Sequence, residues 1–362
     1  MDERPLVLVH GATGFTGRLV CAALARRGVG FAVSGRSREK LEALAKEFGA
    51  REVCVVDLGV ADSIHAAIEG RRIVCACAGP FAEIGESVLA TCAKLGVHYV
   101  DTTGEQRFVA DAVKRYMATA EASGACIVPG MAYEIAPADW GAHLCAARAG
   151  GAPDSIAIVY ATRSSGGYSS MTSRGTKLSA LGMVAERGAL QYVNGALVHE
   201  PTAEVVGTFP LNRGKFITAA SFPSPEAVVV PSHTGARTVR TFMAMSRRTA
   251  RALHATRHVM PWLVRAGRPL LERIIRTSAL GPEGEGREAS FQIIIEARKA
   301  GVGVHVHVIG KDPYGLTAEI QAHAVQCALR GEVQARGVVA PSVGYDANVA
   351  FAALASFGVE VA

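Results

Sequence analysis

Between residues 5 and 130 the chain alternates short apolar runs with amphipathic stretches. PLVLVH (5–10), FAVSG (31–35), EVCVVD (52–57), RIVCACAG (72–79), HYVDT (98–102) and ACIVPG (125–130) each read as a buried strand. Between them, 17–27, 39–48, 61–69, 86–95 and 106–122 carry apolar residues at helical spacing. Strands separated by helices predict right-handed βαβ units and a parallel sheet covered on both faces. Six such strands suit a complete Rossmann-type, doubly wound domain over 1–131.

The pattern changes after about 131. Extended alternation at 155–162, 289–298 and 302–309 predicts an antiparallel or mixed sheet with one covered face, in a second α+β domain over 132–340. The last stretch, 341–362, reads as an apolar helix followed by a short extended end.

The first strand runs into GATGFTG (11–17), a GxxGxxG turn opening a helix. In that place the glycines let backbone N–H groups approach a pyrophosphate, and the helix aims its positive end at it. The same glycines also suit close helix–sheet packing alone. Gly11, Thr13, Gly14, Phe15, Thr16 and Gly17 are therefore candidate cofactor residues. The second strand ends in Ser34-Gly35-Arg36-Ser37-Arg38, without the acid that would hold a ribose 2′-OH. Arg36, helped by Ser34, Ser37 or Arg38, is placed to grip a 2′-phosphate, which favours NADP over NAD. Asp57 is expected near the adenine. Ala78, Gly79, Pro80 and Phe81 are expected along the nicotinamide half.

These segments resemble the saccharopine dehydrogenase-like oxidoreductases, and within them the branch of trans-acting enoyl reductases. The resemblance rests on GATGFTG (11–17), SGR (34–36), AGPF (78–81), GVHYVDTTGE (96–105) and SRGT (173–176). The family's usual PGxGFDxxPSD stretch reads PGMAYEIAPAD here (129–139), with Tyr133-Glu134 in place of Phe-Asp and Ala138 in place of Ser. The resemblance implies an NADP-binding first domain, a mixed α+β second domain, a cleft between them, and a tail that returns to the first domain.

A hydride acceptor needs its carbon held in place and its developing charge stabilised. Tyr133 is the first choice for the donor to that charge, with Glu134 orienting it or binding substrate. Asp101 and Glu105 follow, because open parallel sheets bind ligands at the carboxyl ends of their strands. Ser173, Arg174 and Thr176 are candidates for holding substrate or phosphate oxygen, with helix capping by Ser173 as the alternative. No tyrosine has a lysine four residues on, so the mechanism of the short-chain dehydrogenases is not expected.

The expected activity is NADPH-dependent reduction of a C=C or C=N bond, first an unsaturated acyl thioester of lipid, polyketide or secondary metabolism. Amino-acid imine reduction of the saccharopine type is the second reading, and a non-catalytic NADP sensor the third. The substrate is a small molecule or a carrier-tethered acyl chain.

Composition adds limits. The chain has 362 residues, 49% hydrophobic, and a formal charge of +6. Its eight cysteines form no CxxC pair and read as reduced core residues of a cytoplasmic protein, and MDERP leads straight into a strand pattern, so no secretory signal is expected. His305 and His307 share one face of a strand pattern, but no third ligand stands out, so no metal is expected.

Segment 246–278 carries eight arginines and one acid, Glu272, beside an apolar helical stripe. It reads as a solvated packed helix, as a membrane-surface contact, or as a dock for an acidic acyl carrier protein. Nucleic acid is not expected, since the bases would find no aromatic platform there. Sequence leaves open whether the chain forms an oligomer.

Overall fold

The computed structural model describes residues 4–163, 172–185, 188–212, 214–279, 281 and 289–362. The chain divides into two compact units. The first comprises 1–103, 107–133 and 314–354; the second comprises 104–106, 134–313 and 355–362.

The first unit is built on β1 (Val7–His10), β2 (Phe31–Gly35), β3 (Glu52–Val55), β4 (Ile73–Ala76), β5 (His98–Asp101) and β6 (Cys126–Val128). Linking them are α1 (Phe15–Arg26), α2 (Arg38–Phe48), α3 (Ala61–Ile68), α4 (Phe81–Ile84), α5 (Glu86–Leu95) and α6 (Gln106–Ser123). Every residue of β1, β2, β4, β5 and β6 is buried, as two-sided helix cover requires. The strands are parallel in the order β3-β2-β1-β4-β5-β6. The chain thus winds outward from β1 through β3, then crosses back to β4. The switch point lies between β1 and β4, where open α/β sheets bind ligands.

Several elements of this unit come from late in the chain. Gly337–Val338 adds a seventh parallel strand beside β6, and Pro313–Arg330 supplies Gln321, whose Nε2 donates to the carbonyls of Asp101 and Met131. The sequence boundary at 340 placed both in the second domain. A two-residue strand carries no periodicity, so nothing in the sequence marked it.

The second unit holds a mixed sheet. Its strands are β7 (Ser155–Arg163), β8 (Ala189–Val193), β9 (Ala196–Glu200), β10 (Val206–Pro210), β11 (Phe216–Ser221), β12 (Thr238–Ala244), β13 (Ser290–Lys299) and β14 (Val302–Lys311), and, with Gly337–Val338 of the first unit as β15, the last strand β16 (Glu360–Val361). The order is β10-β11-β12-β7-β13-β14-β16, with β8 and β9 attached at β12. The β12–β7 pair is parallel and the other pairs are antiparallel. Helix α7 (Ala136–Arg148) lies on β13 and β14 so closely that a Cβ on Gly141 would stand 2.7 Å from Ile295 Cδ1.

The tail corrects one expectation. Residues 341–362 divide between the units: helix Ala347–Ala355 belongs to the first unit up to Leu354, whereas β16 pairs with β14 in the second. Backbone pairing, which leaves no mark in side-chain pattern, takes the last residues there. Among the described residues no helix is long and apolar enough to cross a membrane. All eight cysteines are free, and burial lifts the thiols of Cys21 and Cys126 to about 12.

Candidate functional site

The turn after β1 is shaped by close approach. Gly11 has φ +73°, and a Cβ there would stand 2.7 Å from Ala78 Cβ and 2.8 Å from Ala78 N. The turn is tied to β2 by Gly11 N–H and Ala12 N–H, which both donate to the Ser34 carbonyl, at 2.9 and 3.2 Å. A Cβ on Gly17 would stand 2.4 Å from the Gly11 carbonyl oxygen, so only glycine lets α1 start this close to the turn. No side chain caps α1 at Gly14, and its first turn has no acidic residue. The first N–H groups of a helix have no intrahelical acceptor, so this end presents donors and a positive dipole without a built-in counter-charge. Thr13, Gly14, Phe15 and Thr16 are all partly exposed around it. The cradle fits a diphosphate.

Beyond β2, Arg36 is exposed and makes no ion pair or side-chain hydrogen bond among the described residues, whereas Arg38 pairs with Glu42 at 3.6 Å. A guanidinium left without a partner at this strand end is open to an anion. Ser34 differs from expectation. It is fully buried, and its Oγ lies 3.0 Å from His10 Nδ1. It braces β1 against β2, because residue 34 faces inward on a strand buried on both sides. Burial holds the His10 imidazole down at about 4, so that ring is neutral near pH 7. Thr13 Oγ1 stands 4.0 Å from the place a Cβ on Gly35 would take, so the turn lies close against the β2 end. Asp57 is exposed, and its Oδ1 accepts from Gly59 N–H at 2.9 Å, the bond of a tight turn.

Ala78 and Gly79 follow β4 and lead through a cis Gly79–Pro80 bond into α4. Phe81 opens α4 and packs its ring 5.7 Å from that of Phe108.

Asp101, expected to face substrate, is instead a strut. It is fully buried at the end of β5. Oδ1 accepts from Thr103 N–H at 2.9 Å and Gly130 N–H at 2.7 Å, and Oδ2 accepts from Tyr99 Oη at 2.8 Å. Both oxygens serve the β5 and β6 exits. Tyr133 is buried, with its backbone N–H donating to Thr317 Oγ1 at 3.1 Å.

In the second unit, partly buried Glu134 begins a polar cluster, and burial raises its carboxyl above the usual range. Helix α7 carries fully buried Asp139, whose Oδ1 lies 2.7 Å from His233 Nε2. Burial alone would pull His233 down, but the Asp139 charge and hydrogen bond outweigh it and raise the imidazole. Glu226, also fully buried, accepts a hydrogen bond from Tyr160 Oη at Oε1, while its Oε2 has no hydrogen-bond partner among the described residues. Burial, then the charges of Asp139 and Glu134, push its carboxyl well above the usual range. Sequence reading passed over Asp139, Tyr160, Glu226 and His233. The usable signals were an acid inside the apolar run PEAVVV (225–230) and Asp139 at the end of the motif already singled out.

The expected substrate residues are partly brought together. Glu105 Oε1 accepts from Ser179 Oγ at 2.7 Å, on helix Arg174–Ala185. Ser173 caps that helix: its Oγ accepts from Thr176 N–H at 3.1 Å and lies 2.9 Å from Thr176 Oγ1. These two hydroxyls thus have a local structural role. Arg174 Nη1 donates to the Arg276 carbonyl at 3.2 Å. The lead-in at 164–171 lies outside the described residues. His305 and His307 stack at 6.2 Å, and no group of three side chains able to hold a metal occurs among the described residues.

The comparisons with known proteins fit this geometry. Residues 7–128 match the family model described as saccharopine dehydrogenase NADP binding domain. A trans-acting enoyl reductase of Mycobacterium ulcerans is 30% identical to the chain over 143 residues, 38% of this chain and 34% of the relative. A trans-acting enoyl reductase of Mycobacterium tuberculosis is 30% identical over 139 residues, 37% of this chain and 33% of the relative. A second protein of that species matches over 175 residues at the same identity, 46% of this chain and 42% of its own length. The chain therefore spans less than half the length of these relatives. Among solved structures, apo saccharopine dehydrogenase (L-Glu forming) of Saccharomyces cerevisiae aligns over 98% of this chain and 99% of its own, with a TM-score of 0.66 and 12% identity. The shared fold is thus that of a saccharopine dehydrogenase.

Proposed function

We propose that the chain is an NADPH-dependent reductase of a polarised double bond, and that its substrate is an enoyl thioester. The observation that carries the reading is the glycine cradle at the β1–β4 switch point, within a segment that matches the saccharopine dehydrogenase NADP-binding family. The turn 11–17 would hold the diphosphate through backbone N–H groups, and Arg36 would pair with the 2′-phosphate. When bound, the dinucleotide supplies hydride.

The chain's own work is then to hold the acceptor and manage one proton. Hydride addition at the β carbon of an enoyl thioester leaves an enolate, whose oxygen needs a donor and whose α carbon takes a proton. Tyr133 is the proposed donor. Glu134, with a carboxyl held above the usual range by burial, is the proposed proton store beside it in sequence. Asp101 has no such part, since both its oxygens are engaged within the fold.

Imine reduction of the saccharopine type rests on the fold likeness. It requires a basic cluster for several carboxylates; of the arginines at hand, Arg163 is exposed at the end of β7, and Arg174 donates to the Arg276 carbonyl. The deciding experiment follows NADPH oxidation by the purified chain. One arm supplies a short enoyl thioester, and the other a 2-oxo acid with an amino acid. Turnover with the thioester alone supports the proposal. Turnover with the second pair alone replaces it with imine reduction. Tight NADPH binding without turnover in either arm overturns it in favour of a sensor.

A further inference from the structure

Helix Met260–Arg276, preceded by its cap residue Val259, has no buried residue at all. Its two faces differ. Val264, Arg268, Glu272 and Ile275 are partly buried, and the helix packs against Arg174–Ala185. Val259, Leu263, Leu270 and Ile274 fall on the opposite face at helical spacing. They are 55%, 60%, 64% and 57% exposed. Trp262 and Leu271 are exposed as well, so six of the large apolar side chains open to solvent among the described residues lie within 259–274. The stripe runs about 25 Å along the helix. Isolated exposed apolar residues are ordinary, but a continuous stripe of this kind marks an interaction surface.

The charges around the stripe indicate what covers it. Arg265, Arg273 and Arg276 are exposed along one flank with Trp262, and Arg265 lies 6.0 Å from the Trp262 ring. Arg247, Arg248 and Arg251 are exposed on the preceding helix, Arg247–Thr256. The single acid of the stretch, Glu272, already pairs with Arg268 at 2.6 Å and Arg276 at 3.9 Å. An apolar ridge with an aromatic ring at its side, bordered by guanidinium groups and, among the described residues of 246–278, with its one carboxylate already paired, matches the interface of an anionic bilayer. There the apolar face enters the acyl boundary, and arginine stems reach back to phosphate headgroups.

We infer that Val259–Arg276 is an in-plane membrane helix, which docks the second unit on an anionic lipid surface. A dock for an acidic carrier protein would share the charge. It gives no reason for an apolar ridge that runs the whole helix.

The test uses the full chain with vesicles of phosphatidylcholine, alone or mixed with phosphatidylglycerol. Co-sedimentation is expected with the mixed vesicles at low salt, with loss as salt rises. The chain has two tryptophans, and Trp140 is fully buried, so a blue shift of emission on binding reports Trp262. Leu263→Ser/Leu270→Ser/Ile274→Ser should cut binding at least roughly tenfold. Arg265→Gln/Arg273→Gln should weaken binding to the anionic vesicles by about tenfold or more. Retained circular dichroism shows that the variants fold. Should the triple variant unfold, Trp262 of the unaltered chain decides. Emission shielded from aqueous iodide by anionic vesicles supports the inference, and unchanged quenching overturns it. Binding that survives the apolar substitutions also overturns it. So does capture of a purified acidic carrier protein without any vesicle binding.

Discussion

A side chain on Gly11 would collide with Ala78, its Cβ only 2.7 Å from Ala78 Cβ and 2.8 Å from Ala78 N. The contact joins the turn after β1 to the exit of β4, the two strand ends that flank the switch point. The shape of this glycine turn is therefore a product of strand order. The glycine is needed because β4 lies beside β1, and β4 lies there because the chain crosses back after β3.

Gly11→Ala should destabilise the first unit by about 2–4 kcal/mol, since it adds a steric clash to a strained φ. Gly28 provides the control. Its φ is +65°, but nothing lies within 4 Å of a Cβ placed there. Gly28→Ala should cost only about 1–2 kcal/mol and leave NADPH affinity intact. Thermal unfolding and calorimetric titration with NADPH separate the two, and equal losses in both variants would remove the clash from the account.

Arg36→Ala should weaken NADPH by roughly 1.5–3 kcal/mol, the range for a hydrogen-bonded charge, and change NADH affinity little. Arg36 is exposed, so its loss should leave thermal stability unaltered. Parallel titrations with the two dinucleotides check this. The same loss for both would mean that the strand end does not read the 2′-phosphate.

The first unit was legible because five of its strands are buried on both faces, which writes unbroken apolar runs, and its helices on one, which writes the helical period. FAVSG became β2 without a change of boundary. What was not legible depends on pairing across distance. Nothing in Gly337–Val338 says that it will lie beside β6, and nothing in Glu360–Val361 says that it will pair with β14. Site residues divide in the same way. Gly11 and Gly17 could be read because a backbone requirement selects glycine. Asp101 was misread because a carboxylate at a strand end looks the same whether it faces a ligand or ties down Thr103 and Gly130. Glu226 was missed because its partners come from β7 and α7, far along the chain.

Asp101→Ala should unfold or severely weaken the first unit, by about 3 kcal/mol or more, because two buried N–H groups and the Tyr99 hydroxyl would lose their acceptor. Asp101→Asn should be milder, since one amide oxygen can still accept from both N–H groups. Chemical denaturation with both variants checks the order. Full stability in the alanine variant would show that the strut is dispensable.

Tyr133→Phe should lower turnover about 100-fold, the low end of the cost of removing one oxyanion donor, with NADPH affinity unchanged. The residue is buried, and the hydrogen bond shown at this position comes from its backbone N–H, which the substitution keeps. Thermal unfolding of the variant checks that the fold survives the change. Single-turnover oxidation of NADPH against the responsive acceptor measures the step, and an unaltered rate would take Tyr133 out of it.

Glu226 gives the second unit a pH dependence of definite sign. Burial places its folded carboxyl well above the ordinary glutamate range, where the unfolded chain titrates. The folded state therefore binds this proton more tightly, so the associated stability is complete below about pH 4.5 and is lost progressively as pH rises toward the folded value. Glu226→Gln keeps an oxygen for Tyr160 and removes the titration. It should flatten this dependence and hold or raise the melting temperature near neutral pH. Tyr160→Phe leaves the Glu226 carboxyl without its donor and should cost about 1–3 kcal/mol. Melting temperatures from pH 4 to 8 for the three proteins decide the matter. A Glu226→Gln chain that melts lower than the parent at neutral pH, with an unchanged slope, would show that Glu226 is ionised in the folded protein.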